Sequence, residues 1–214
     1  MINQADLPET IAVFPLHGAI LLPRARLPLH VFEPRYLAMI EDCLKSDRRM
    51  IGMVQPRGDA GAAPPLSNVG CAGRITSFSE TDDGRYMITL TGIARFRVAT
   101  EVAGFVPYRR CTPDWTPYAF DLDGAASELD FPRDAFLAKV SRYFKARNLG
   151  VDWSNMKEAE DELLVNALAM LCPFAAEEKQ ALLEARTLAD RRQVLETLIT
   201  FAMQGGGAPD EVVQ

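Results

Sequence analysis

The sequence predicts an α+β fold: a bent β-sheet or pseudo-barrel with one helix, followed by a small helical bundle. Three observations predict it. Pro15, Pro23, Pro28 and Pro34 punctuate an apolar opening stretch, where a fixed φ and a missing backbone donor exclude a continuous helix. Short apolar segments with glycine or proline corners then succeed one another as far as Pro117. From Phe131 onward, apolar residues recur instead at helical spacing. The expected organisation is a β subdomain over 1–118, a helical subdomain over 119–204 and a disordered tail over 205–214, where Gly205-Gly206-Gly207 ends the last helix.

Val13 to Leu22 and Leu27 to Phe32 read as extended pieces joined by corners. After Pro34, Tyr36, Leu37, Ile40, Cys43 and Leu44 share one helical face, and the helix should stop near Ser46-Asp47. Met50 to Gln55 reads as a buried strand. Pro56 to Asn68, with Gly58, Gly61, Pro64 and Pro65, reads as a mobile loop. Gly70 and Gly73 mark the next strand for a bulge or a close backbone approach. Thr81-Asp82-Asp83-Gly84 supplies a turn. Past Gly92, Phe96 and Val98 alternate with Arg95 and Arg97, which predicts one buried and one solvated face. A last strand is expected over Phe105–Cys111, ending in the proline-rich turn Thr112 to Pro117.

The helical part begins at Asp130-Phe131-Pro132. Phe136, Val140, Tyr143 and Phe144 mark a face, closed by Asn148 and Gly150. A second stripe runs Ala159, Leu163, Leu164, Ala167, Leu168, Leu171 and breaks at Pro173. A third helix passes through Gln180 to Glu184. Thr187-Leu188-Ala189-Asp190 then gives a capping box for a helix repeating Leu188, Arg191, Leu195, Leu198 and Ala202.

Composition narrows the function. Four cysteines without a C-x-x-C pair read as buried free thiols, not as disulfides or a metal site. No leader and no membrane-length apolar run is present, so a cytoplasmic location and no membrane partner are expected. The net charge of −6 is uneven: residues 1–118 carry 13 Lys+Arg against 12 Asp+Glu, and residues 119–214 carry 10 against 17. Nucleic-acid affinity needs a basic field, which the second half lacks.

Several separated segments, in order, carry a resemblance. They are Phe14-Pro15-Leu16, Leu22-Pro23, Pro28 through Tyr36, Val69 through Ile75, Leu90 through Phe96, and Glu178 through Glu184 with Asp190-Arg191-Arg192. Together they resemble the Lon protease N-terminal domain family, the LON substrate-binding domain. The resemblance implies a PUA-like β-barrel followed by a helical subdomain. It further implies a stand-alone form, because no G-x-x-x-x-G-K-[ST] phosphate loop and no peptidase segment accompany it. No enzymatic activity and no cofactor are expected.

Four sets of residues compete as sites. His17 and His30 have no serine or cysteine motif beside them and read as structural histidines, without metal. Glu158, Glu160, Asp161 and Glu162 read as a solvated acidic helix start. Arg95 and Arg97, with Arg74, Arg85, Arg109 and Arg110 nearby, form the alternative reading, an RNA-binding face. The leading reading, motivated by the resemblance, is polypeptide recognition by an apolar surface between barrel and helices. Its residues to test are Glu33, Arg35 and Tyr36 at the strand-to-helix corner, with core packing the competing role for Tyr36. A third reading is an adaptor for an ATP-dependent protease.

Overall fold

The computed structural model describes residues 3–58, 63–124, 129–150 and 153–204. The expected tail over 205–214, the glycine stop of the last helix and residues 59–62 of the expected mobile loop lie outside the described residues.

The first half alternates strands with one helix: β1 (Ile11–Pro15), β2 (Arg26–Val31), α1 (Pro34–Lys45), β3 (Met50–Val54), β4 (Val69–Glu80), β5 (Tyr86–Glu101) and β6 (Arg109–Asp114). The order is β2-β5-β4-β3-β1-β6, and β5 pairs with β6 as well. Five strands therefore close on themselves, and β2 extends the sheet with a partner on one side only. β1 and β3 run parallel; the other pairs are antiparallel.

β5 closes the ring by pairing with β4 along one edge while its other edge serves two neighbours in turn. Its first residues pair with β2, as in His30 opposite Met87, and its last with β6, as in Val98 opposite Pro113. Register shifts after Ala72, Ile75 and Val98 supply the bends this needs. Gly92 allows the sheet to meet the opening stretch. Its N–H donates to Ala25 O at 2.9 Å, and a Cβ there would lie 2.0 Å from Leu22 O.

The barrel interior is filled by Leu7, Ile11, Val13, Val54, Ala72, Phe96 and Cys111. The Phe96 ring lies edge-to-face with Trp115 at 5.3 Å and occupies space that Cβ atoms on Gly52 and Gly70 would claim.

A 3-10 segment, Thr116–Leu122, leads out of the barrel to α2 (Arg133–Ala146), α3 (Trp153–Glu158), α4 (Asp161–Leu171), α5 (Ala176–Glu184) and α6 (Leu188–Gln204). The expected boundary at residue 118 falls inside that segment. A single cluster of buried residues joins Leu21, Leu22, Met53 and Leu90 of the first half to Phe136, Val140, Leu168, Leu182 and Leu195 of the second.

Three expectations shift. The last strand runs Arg109–Asp114 instead of 105–111, because pairing with both β1 and β5 sets its bounds and a bulge accommodates Pro113. From Leu163 onward the second helical stripe lies in α4, after the separate short helix α3, and α4 is rotated: Leu163 and Leu171 face solvent while Glu162 and Asn166 are buried. Glu162 is therefore not part of a solvated acidic run; it pairs with Arg24, and Asp161 pairs with Arg133. His17 and His30 are both exposed. All four cysteines are buried free thiols, as read from the sequence.

Candidate functional site

The corner between β2 and α1 is built by its own sequence. Pro34 opens α1, where a missing N–H costs nothing, and Glu33 stands at the cap position. The Glu33 carboxylate accepts from Arg35 Nε at 2.9 Å, and the Arg35 guanidinium lies 4.6 Å from the Tyr36 ring centre. Tyr36 is only 5% exposed and packs its ring 4.3 Å from that of Phe14. Burial raises its phenol pKa above the ordinary value, with Arg35 opposing. Glu33 and Arg35 are thus surface groups seated on a core tyrosine.

Sequence reasoning missed the residue beside them. Phe32 is 60% exposed, with the His30 ring 6.3 Å away edge-on and the Arg85 guanidinium 6.0 Å from its centre. Met87 pairs across the sheet with His30 and is 51% exposed. The period-two rule puts Phe32, His30 and Met87 on one face of the sheet. On the other face of the sheet, where β4 pairs with β5, exposed Phe78 stacks edge-on with Tyr86 at 5.0 Å, and the Tyr86 hydroxyl donates to Glu41 at 3.1 Å. The available signal was the alternation Pro28, His30, Phe32 against Leu27, Leu29, Val31, which leaves Phe32 on the outward set.

Polar contacts tie the barrel to the helices at their seam. Arg95, expected on a solvated face, is 2% exposed and forms a two-pronged pair with Asp121, Nε to Oδ2 at 2.9 Å and Nη2 to Oδ1 at 2.8 Å. Its remaining hydrogens reach the carbonyls of Leu183, Ala185 and Arg186, so one side chain ties β5 to the loop before α6. Gln55 adds a bond to Ala176 O at 2.9 Å. The strand alternation misled because Arg95 finds a carboxylate inside, and a paired arginine can be buried where a free one cannot. Arg97 alone of the two is exposed, 3.5 Å from Asp114. Arg85 and Arg109 pair with Asp83 and Glu101, so these arginines are individually neutralised.

Among the described residues, no group of three or more His, Cys, Asp or Glu is arranged to hold a metal ion, and no helix is long and apolar enough to cross a membrane. Burial pushes the thiols of Cys43, Cys111 and Cys172 up to about 12, which leaves them poor nucleophiles.

The family profile of the ATP-dependent protease La (LON) substrate-binding domain matches residues 10–200. The chain belongs to that family. Lon protease 2 of Myxococcus xanthus is 32% identical over 118 residues, which are 53% of this chain and 14% of that protein. Lon protease 2 of Thermus thermophilus is 24% identical over 208 residues, 90% of this chain and 24% of the relative. The LON-family chain thus spans a minor part of the length of the curated relatives it matches.

The Lon N-terminal domain protein from Xanthomonas campestris shares the fold with a TM-score of 0.57 at 24% identity, covering 90% of this chain and 98% of that one. The N-terminal domain of Mycobacterium avium complex Lon protease does so with a TM-score of 0.62 at 14% identity, covering 89% and 98%. The mixed sheet followed by helices is thus the Lon N-terminal domain architecture.

Proposed function

We propose that this LON-family chain is a non-catalytic recognition module for polypeptides that expose apolar side chains, such as unfolded or damaged proteins, and that it presents them to a proteolytic partner. The observation that carries the reading is the exposure of Phe32 and Met87 on one face beside His30. Exposed large apolar groups rimmed by charge are the features of a modest-affinity protein-binding surface. In this reading Phe32 and Met87 bury against the incoming side chains. Glu33, Arg35 and Arg85 form the polar rim, and Tyr36 supports Arg35 from beneath. The relatives named as Lon proteases support a polypeptide ligand, and an ATP-dependent protease is the proposed partner. An RNA-binding face has little support, since Arg95 is buried and Arg97 lies near Asp114.

The test is binding of a reduced, permanently unfolded model protein, read by fluorescence anisotropy and by suppression of its aggregation. Phe32→Ser/Met87→Ser should weaken binding at least about tenfold, the loss expected when two apolar anchors go, while the melting temperature stays near that of the parent. Unchanged binding in that variant would remove this surface from the reading. Absence of binding by the parent chain would remove the reading itself.

A further inference from the structure

The strand β5, the 3-10 segment Thr116–Leu122, α4 and the start of α6 line a cavity of about 310 Å³, on the side where the helices meet the barrel. Its charges do not balance. Among the described residues it is lined by four guanidiniums, those of Arg24, Arg95, Arg186 and Arg191, against three carboxylates, those of buried Asp121 and Glu162 and exposed Asp123. Arg24 pairs with Glu162 and also donates to Asp121 O at 2.7 Å, and Arg95 takes both oxygens of Asp121.

Arg191 is the cation left over. It is 3% exposed, its Nε donates to Leu182 O at 3.0 Å and its Nη1 to Asn166 Oδ1 at 2.9 Å, both neutral acceptors. Its Nη2 has no partner among the described residues, and no ion pair reaches the side chain. A buried cation without a counter-ion is costly, and a buried donor without an acceptor adds to that cost. Burial and the neighbouring Arg95 accordingly pull the Arg191 pKa down to about 10.

We propose that this cavity is a carboxylate-binding site in which Arg191 supplies the buried cation and exposed Arg186 the cation at the mouth. A monoanion matches the surplus of one positive charge among the described lining groups. A dianion such as phosphate would bring a second negative charge against Asp121 and Glu162, without a second free buried cation to meet it. The planar fork of a guanidinium fits a carboxylate. Phe120 and Leu188, which also line the cavity, offer apolar contact for the carbon stem that carries the group. The carboxylate can come from the C-terminus of a polypeptide or from a small organic acid, and the two sources are separable by experiment. The site is separate from the Phe32 surface, so either assignment can fail alone.

The experiment titrates the full chain, labelled with ¹⁵N-arginine, and follows the Arg191 side-chain resonance. The probes are acetyl-Ala-Ala-Leu acid, the same tripeptide as its amide, isovalerate and inorganic phosphate. A saturable shift with the tripeptide acid and none with the amide is the expected result and points to a polypeptide C-terminus. An equal response to isovalerate supports the site with a small acid as its source. Arg191→Met should abolish the response. Should that variant not fold, Arg186→Gln, at an exposed position, should weaken binding about two- to fivefold, the range of a solvent-screened ion pair. Equal binding of acid and amide, phosphate binding as tightly as carboxylate, or no movement of Arg191 with any probe, as when a bound water satisfies Nη2, each overturns the proposal.

Discussion

Asp121 and Arg95 form the most enclosed ion pair of the chain's described residues, and removing one partner leaves the other charged inside the fold. Arg95→Met should therefore cost about 3–5 kcal/mol, measured by urea unfolding, whereas replacing both partners together by apolar residues should cost less than the single change. Equal losses in the single and double variants would show that the bonds to Leu183, Ala185 and Arg186 matter more than the charge pair. At Gly92, a methyl group would press on the Leu22 carbonyl, so Gly92→Ala should destabilise by about 3 kcal/mol or more in the same assay.

The thiols give a pH prediction with a definite sign. In the unfolded chain a cysteine releases its proton near pH 8.5, while burial holds Cys43, Cys111 and Cys172 protonated up to about 12. Above that lower value the native state binds more protons than the unfolded one, so stability falls as pH rises from about 8.5 toward 12. Melting temperatures recorded between pH 7 and pH 10 should decline, less steeply in a Cys43→Ala/Cys111→Ala variant. A thiol reagent should modify the native protein only after unfolding.

At the scale of elements, much was legible because local pattern and burial agree. The stripe Phe136, Val140, Tyr143 and Phe144 is buried in α2, and Asn148 takes the left-handed turn that ends it, with φ of 53°. Thr187 and Asp190 exchange the two bonds of a capping box, each at 3.1 Å. What failed depends on partners remote in sequence. α4 turns Glu162 and Asn166 inward because Arg24 and Arg191 await them there, and no pattern within α4 names those residues. The same holds for the corner site: the apolar reading of the opening stretch did not separate Phe32, which is exposed, from Tyr36, which is core.

Strand β2 raises a prediction of its own. Among the described strands it pairs with β5 alone, so its other edge has no strand partner, and Pro28 lies in the middle of the strand, in register with Thr89. Proline is a means by which edge strands avoid pairing with another chain. Pro28→Val should raise self-association, seen as a concentration-dependent increase in sedimentation coefficient. Unchanged sedimentation would show that the edge needs no such protection.

For the whole molecule, the continuous core makes the proposed division at residue 118 one of architecture more than of stability. Leu21 and Leu22 pack in the same cluster as Leu168 and Leu195, so the two subdomains should unfold in one transition with coincident near-UV and far-UV signals. Residues 1–118 alone should expose that face and bind a hydrophobic dye.

The closed order of the strands also sets a timetable. Ile11 pairs with Cys111, so the first strand cannot complete the ring until nearly the whole β half has been synthesised, and the bonds from Arg95 to Leu183 and Ala185 wait longer still. During translation β1 emerges with neither β3 nor β6 to pair with. A protein of this family built on such distant pairings should refold slowly, in milliseconds to seconds, and its nascent chain is itself a strand-exposing polypeptide of the kind that chaperones hold.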